Sequence, residues 1–305
     1  MPARSMAPVP GRQGKKRMTR QEHGPAVLSV VIPVYNEVDT WRELLARVEN
    51  VPLPHVGRQI ILVDDGSTDG TGEQLRQFAQ SCAAQADCRP GPGETCRKVV
   101  FHDRNRGKGA ALRSGFASAD GDVVIVQDAD LEYDPNDYPR LLEPILSGQA
   151  DVVYGTRFPP GGGLKGRLGN YLANRLLTWL SNLTTGLKVS DMETCYKTFR
   201  RDVLRQIRLE QDRFGFEPEV TAGVARLDVR VAELPISYRG RGRKEGKKIG
   251  WKDGVQAIRC VFCYGRRKQR RARMVLVADV PKEEKEAYPQ SHRGTEGKKE
   301  EEKEA

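Results

Sequence analysis

Three observations predict an α/β fold built on a mainly parallel sheet. Short apolar runs at residues 27–34, 60–63 and 123–126 alternate with helix-period segments across residues 26–158, the strand–helix alternation of βαβ units. The runs are almost wholly apolar, as strands covered on both faces must be. Each is followed by polar, largely acidic residues, at 35–37 (YNE), 64–69 (DDGSTD) and 128–132 (DADLE). In open parallel sheets the carboxyl ends of the strands lie side by side and ligands collect there, so three distant segments are expected to line one crevice.

Residues 1–25 are rich in Pro, Gly, Arg and Gln without periodicity, which reads as a disordered basic arm. Strand 27–34 leads to a helix ending near residue 50, with Leu44, Leu45 and Val48 on one face. Strand 60–63 leads through a polar turn to a helix over 72–79. Residues 81–97 read as a Pro/Gly-rich loop insertion, followed by a short strand at 98–101. Gly107 and Gly109 open the next helix and could approach a phosphate through backbone N–H groups, a weak signal. The central strand 123–126 precedes a helix over 136–146 and a strand at 151–154.

After a glycine-rich link the character changes. Leu168, Tyr171, Leu172, Leu176, Trp179, Leu180 and Leu183 form an apolar stripe broken by Arg175. The favoured reading is a helix packed on the sheet; the other is an amphipathic face that touches lipid. A strand within 191–200, a helix at 216–227, a strand at 229–238, a basic loop at 239–250 and a helix at 251–264 follow. Residues 265–305 read as a basic run and a disordered charged tail. The organisation expected is one catalytic domain over 26–264, with a nucleotide-sugar half at 26–158 and an acceptor half at 159–264.

The formal net charge of +10 points to anionic partners without choosing between nucleotide, lipid phosphate and nucleic acid. No stretch approaches the roughly 18 apolar residues of a membrane span, and the first residues lack the apolar core of a secretory signal. The six cysteines are therefore expected as free thiols in a reducing cytosol, and their spacing does not suit zinc.

In extended backbone Asp128, Asp130 and Glu132 alternate and project to one side, where three carboxylates can hold Mg²⁺ or Mn²⁺. The plainer alternative is an acidic turn ending a strand. Asp64 or Asp65 suits the N–H of a nucleobase ring. No P-loop or complete dinucleotide fingerprint is present.

The set VVIPVYNE, VDDGSTDGT, NRGKGAAL, QDADLE, VYGTRF, DMETCYK and YRGRGRKEGKK resembles the family 2 inverting glycosyltransferases of the GT-A fold, closest to the dolichyl-phosphate mannosyltransferase and polyprenyl-phosphate sugar transferase group. The resemblance spans about residues 27–264. It implies metal-dependent transfer of a hexose from a nucleotide diphosphate sugar to a polyprenyl or dolichyl phosphate, with mannose from GDP-mannose favoured. Pro33, Tyr35, Glu37, Leu62 and Asp64 match donor-contacting positions, joined by Asp65 from the residue reading. Asp128, Ala129 and Asp130 match the DxD element, and Glu132 stands where the mannosyltransferases commonly carry Gln. Arg157, Arg241 and Lys247 match basic positions that face the diphosphate or the acceptor phosphate.

The resemblance further implies a Mg²⁺ or Mn²⁺ cofactor; the missing export signal points to the cytoplasm, with peripheral contact on the cytoplasmic membrane face open. Specific nucleic-acid binding is not expected. The alternatives are transfer from UDP-glucose to a soluble acceptor and a catalytically silent nucleotide- or nucleic-acid-binding protein.

Overall fold

In the computed structural model, the described residues are 26–82, 88–158, 168–240, 251–265 and 271–277. The strands are β1 (Val27–Val34), β2 (Gly57–Asp64), β3 (Thr95–Phe101), β4 (Val123–Val126), β5 (Val152–Thr156), β6 (Lys197–Arg200), β7 (Arg230–Pro235) and β8 (Arg273–Met274). The helices are α1 (Trp41–Glu49), α2 (Thr71–Ser81), α3 (Lys108–Ala117), α4 (Tyr138–Leu146), α5 (Leu168–Thr185), α6 (Arg201–Leu204), α7 (Phe216–Arg226) and α8 (Trp251–Gly265). A single eight-stranded sheet runs β3-β2-β1-β4-β6-β5-β7-β8. All pairings are parallel except those of β6, which is antiparallel to both β4 and β5.

The apolar runs form the centre of this sheet for the reason their composition suggests. β1, β2 and β4 bury nearly every side chain, and chains without a polar face are stable only with helices on both sides. Helix α1 covers them with Trp41, Leu44, Leu45 and Val48. The one polar side chain inside β1, Ser29, is fully satisfied: its hydroxyl donates to Gln59 Oε1 at 2.6 Å and accepts from Gly121 N at 2.9 Å. This pins the entry to β4 against β1 and β2. β5 pairs with both β6 and β7, so the sheet runs unbroken across the expected boundary between halves.

Three expectations need correction. Strand β3 begins at Thr95, inside the stretch read as a loop, and Cys96 is buried in register with Gln59. The polar flanks of this edge strand hid it. The fold also does not end at 264. β8 adds a parallel strand to β7, and Ala272, Met274, Val275 and Val277 pack on the core, so part of the presumed tail is structural. A two-residue edge strand following a basic run has too little periodicity to be seen.

The third correction concerns α5, whose polarity is reversed. Asn174, Thr178, Ser181 and Thr185 are buried, whereas Leu172, Leu176, Trp179 and Leu183 are more than half exposed. α5 packs on α7 and α8.

Residues 1–25, 241–250, 266–270 and 278–305 lie outside the described residues. The arm and tail expected to be disordered and most of the basic loop therefore fall outside the description. All six cysteines are free. Among the described residues no helix is long and apolar enough to cross a membrane.

Candidate active site

The carboxyl ends of β1, β2, β4 and β5 do converge, and the loops beyond them are tied to one another. Asn36 N donates to Ser67 Oγ (3.0 Å), Thr68 N to Asn36 Oδ1 (2.8 Å) and Glu37 N to Thr71 Oγ1 (3.1 Å). Asn36 is held at φ 53° and Gly66 at φ 68°, left-handed conformations that Asn and Gly tolerate best. Pro33, Tyr35 and Glu37 are partly exposed along this wall.

The two neighbouring aspartates have different surroundings. Asp65 is buried and accepts from His102 Nδ1 (2.7 Å), Arg106 N (2.9 Å) and Gly107 N (2.7 Å). It clamps the 102–107 loop, and its hydrogen-bonding capacity is largely used there. Asp64 Oδ1 accepts from Ser67 N at 3.1 Å. Leu62 is fully buried within the core, so it supports the crevice from below and does not line it. Gly107 and Gly109 are explained by packing: a Cβ would meet Asp212 O at 2.4 Å and Gln211 O at 2.2 Å.

The acidic segment does not continue as an extended strand. β4 ends at Val126, a turn follows over 129–131, and Leu131 has φ 59°. That left-handed residue breaks the alternation that would have aimed three carboxylates one way. Asp128 meets Lys108 Nζ at 2.8 Å, Asp130 Oδ1 accepts from Glu132 N at 3.1 Å, and Glu132 Oε2 accepts from the Tyr238 hydroxyl at 2.7 Å. Among the described residues no group of three or more His, Cys, Asp or Glu side chains is arranged to hold a metal. Asp128, Asp130 and Glu132 are thus not gathered as a three-carboxylate cage among the described residues; Asp128 and Asp130 remain as a pair, with Ala129 buried between them. The pair still fits Mg²⁺ or Mn²⁺ chemically, because such ions commonly take one or two carboxylates and complete their shell with phosphate oxygens and water.

Beneath this turn lies a buried polar floor. Gln127 Oε1 accepts from the Tyr138 (2.6 Å) and Tyr196 (2.7 Å) hydroxyls, and Tyr133 Oη accepts from Cys195 N (3.0 Å). Lys108 bridges Asp128 and Glu217 Oε1, the latter at 3.1 Å. Burial opposes its charge, but the two carboxylates more than offset that and raise its pKa well above the ordinary lysine value. Lys197 is fully buried and donates to Thr194 O.

Glu193 Oε1 is buried with no hydrogen-bond partner among the described residues. Burial, with Glu217 nearby, pushes the Glu193 carboxyl up to about 8 from its ordinary 4.5. In that interval the folded chain holds a proton that the unfolded chain releases, so this group's contribution to stability falls as pH rises from 4.5 to 8. Glu193→Gln should therefore melt with wild type near pH 5 and above it at pH 8 to 9, by a few kcal/mol. A constant difference across that range in thermal melts would rule this out.

Arg157, at the end of β5, is fixed by Asp191. Nε and Nη2 donate to its two oxygens at 2.7 and 2.8 Å, and Arg157 N adds a third bond at 3.1 Å. Asn174 of α5 donates to the same carboxylate at 3.2 Å. The guanidinium lies 5.2 Å from the Tyr238 ring centroid, and Tyr238 bridges Tyr133. Arg239 N donates to Glu132 O at 2.8 Å, so the stem of the basic loop is bound to the acidic turn. Arg241 and Lys247 lie outside the described residues.

Sequence reasoning missed Lys108, Asp191, Glu217 and Tyr238. Lys108, Asp191 and Tyr238 sat inside the family-like motifs, but nothing local showed that they pair with Asp128, Arg157 and Glu132.

An open, mainly parallel sheet interrupted by one reversed strand, with acids and a pinned arginine along its carboxyl edge, is an arrangement shared with GT-A folds. The family model for glycosyl transferase family 2 matches residues 29–208, and the chain belongs to that family. It is similar to the undecaprenyl-phosphate 4-deoxy-4-formamido-L-arabinose transferase of Edwardsiella ictaluri, with 36% identity over 72% of this chain and 62% of that protein. It thus spans about three fifths of that relative's length. The undecaprenyl-phosphate mannosyltransferase of Micrococcus luteus is 32% identical over 72% of this chain and 86% of that protein. Among solved structures, glucosyl-3-phosphoglycerate synthase from Mycobacterium tuberculosis, in complex with Mn²⁺, UDP and glucosyl-3-phosphoglycerate, matches with TM-score 0.58. That match has 22% identity and covers 78% of this chain and 80% of that one, a likeness of fold.

Proposed function

We propose that this chain transfers one hexose from a nucleotide diphosphate sugar to a polyprenyl phosphate with inversion, mannose from GDP-mannose being the favoured donor. The observation that carries the reading is the meeting, at one sheet edge, of the Asp128–Asp130 turn, the pinned Arg157 and the stem of the basic loop. The likeness to two undecaprenyl-phosphate sugar transferases supports the acceptor class.

Asp64, at the wall where Ser67 orients it, receives the base, while Pro33, Tyr35 and Glu37 line the nucleotide. Asp65 serves the donor side indirectly by fixing the 102–107 loop. Asp128 and Asp130 would hold Mg²⁺ or Mn²⁺, which when bound neutralises charge on the diphosphate. Arg157, its orientation set by Asp191, stabilises negative charge as the sugar–phosphate bond breaks. The acceptor phosphate is already largely ionised near neutral pH, so no strong general base is required. Arg241 and Lys247, outside the described residues, are the further basic positions that the resemblance assigns to the phosphates. The same reading takes the cytoplasmic side as the working position.

Arg241→Ala is expected to lower kcat by roughly 10²-fold with little change in Tm; an unaffected rate would make the loop a solvated charge run. The reading itself is tested with purified chain, Mn²⁺ or Mg²⁺, and radiolabelled GDP-mannose and UDP-glucose in parallel, with and without a short polyprenyl phosphate. Metal-dependent movement of mannose label into the organic phase is the expected result. Transfer from UDP-glucose alone would replace the donor, and donor hydrolysis without lipid product would move the acceptor to soluble molecules. Absence of any turnover would overturn the reading.

A further inference from the structure

Lys108 stands between two carboxylates, and it does not treat them alike. Its Nζ lies 2.8 Å from Asp128 Oδ1 and 3.1 Å from Oδ2, so one ammonium covers both oxygens of a residue proposed to hold the divalent ion. On the other side it meets Glu217 Oε1 at 3.1 Å. Glu217 Oε2 is buried and has no hydrogen-bond partner among the described residues. A buried acceptor without a donor is costly, and this one belongs to a carboxylate that the ammonium already touches. A divalent ion on Asp128 would meet that ammonium at close range, where like charges repel strongly in a partly buried site. Asp128 therefore offers an oxygen freely only when Lys108 moves off it, and Glu217 is where Lys108 can go.

The backbone holds the two partners of Lys108 within its reach. Lys108 opens α3, and Glu217 lies in the first turn of α7, where the helix dipole favours a carboxylate. The 210–212 segment ties these two first turns together. Glu219 accepts from Glu210 N at 2.8 Å and from Gln211 N at 2.9 Å, Ala110 N donates to Asp212 O at 3.0 Å, and Arg113 Nη1 donates to Gln211 O at 2.7 Å. Phe116 of α3 packs on Phe216 of α7 with ring centroids 6.0 Å apart. The freedom that remains is in the lysine stem, a flexible four-carbon chain with three rotatable donors at its tip. Buried Lys197 also acts on the Glu217 carboxylate, so Glu217 keeps a counter-charge while Lys108 leans toward Asp128.

We infer that Glu217 is a positioning residue for the divalent ion: it draws Lys108 off Asp128, so that Asp128 can turn an oxygen to the ion. Glu217 itself does not touch the ion. This inference rests on the proposed metal-holding role of Asp128 and Asp130 and extends it to a second carboxylate, one helix away.

The test is Mn²⁺ binding to the full chain, read from the loss of the free-ion electron paramagnetic resonance signal, alone and with excess GDP or UDP. Glu217→Gln is expected to weaken binding about tenfold, the scale of one hydrogen bond to a charged group, because Lys108 then settles on Asp128. Glu217→Asp keeps the charge but draws the carboxylate back by one methylene, and it should weaken binding as well. Lys108→Met removes the competitor and should bind Mn²⁺ at least as tightly as wild type. Adding Glu217→Gln to Lys108→Met should then change nothing further, since the effect of Glu217 runs through the lysine. Wild-type affinity in Glu217→Gln would overturn the inference. So would an equal weakening by Glu217→Gln with and without Lys108, which would mean that Glu217 acts through its charge alone. Melting curves accompany each variant; if Lys108→Met does not fold, Glu217→Asp decides, and wild-type binding there overturns the inference. Asp128→Asn/Asp130→Asn separates the two proposals. Mn²⁺ binding that survives in that variant would sink the metal-holding pair and the inference with it, whereas binding lost there but unaffected at Glu217 would overturn the inference alone.

Discussion

Asp130→Ala is expected to lower sugar transfer by roughly 10³-fold, the scale of losing a principal stabiliser of developing charge. Asp130 is partly exposed, and its one described acceptor role, from Glu132 N at 3.1 Å, orders the turn. Alanine would therefore combine loss of charge with a looser turn, worth about 1 kcal/mol of stability. Asp130→Asn separates the two, because it keeps the acceptor oxygen and removes the charge. Both variants should fail in transfer at saturating metal, and the asparagine form should melt close to wild type. Normal turnover in the asparagine form would remove Asp130 from the metal-holding role.

The second large effect is expected at a residue that need not touch substrate. Asp191 is fully buried and accepts three bonds from Arg157 and one from Asn174. Removing one member of a buried ion pair leaves the other charge without compensation, at about 3–5 kcal/mol. Asp191→Ala should lose stability on that scale. Its turnover should fall as well, because the guanidinium is no longer oriented. Asp191→Asn, which keeps the shape and part of the hydrogen bonding, should recover much of the stability while kcat stays low. Denaturant melts and steady-state kinetics on the two variants provide the check. Wild-type kcat in Asp191→Asn would mean that Arg157 needs no such alignment.

The parts of the fold legible in the sequence were those specified locally. β1, β2 and β4 declare themselves because a strand buried on both faces must be apolar at nearly every position. The carboxyl-end crevice follows once the strands are parallel. The direction of the acids after β4 was not legible, because Leu131 at φ 59° is not a residue type that announces a left-handed turn. Nor could pairing across the chain be read: Lys108 with Asp128 and Glu217, or Arg157 with Asp191, are contacts set by the packed sheet. Helix α5 shows a further limit. Its period was evident, but the inward face is the one on which Asn174 and Thr178 meet residues 191–192 and Leu177 and Leu180 pack on the core. A stripe of leucines alone pointed the other way.

The reversed strand β6 has one more consequence. β5 ends at the crevice edge and β6, running the opposite way beside it, begins there, with Tyr154 opposite Lys197. In topological terms, residues 157–196 are the loop of a single very long β-hairpin, and α5 lies within that loop. The entropic cost of closing such a loop grows only with the logarithm of its length. The excursion can therefore lengthen, shorten or change its outer chemistry without shifting the register of β1, β2 and β4, which carry the donor wall. Asp191 travels with the excursion and returns to grip Arg157 at its root, so the segment facing the acceptor behaves as a replaceable cassette that brings its own latch.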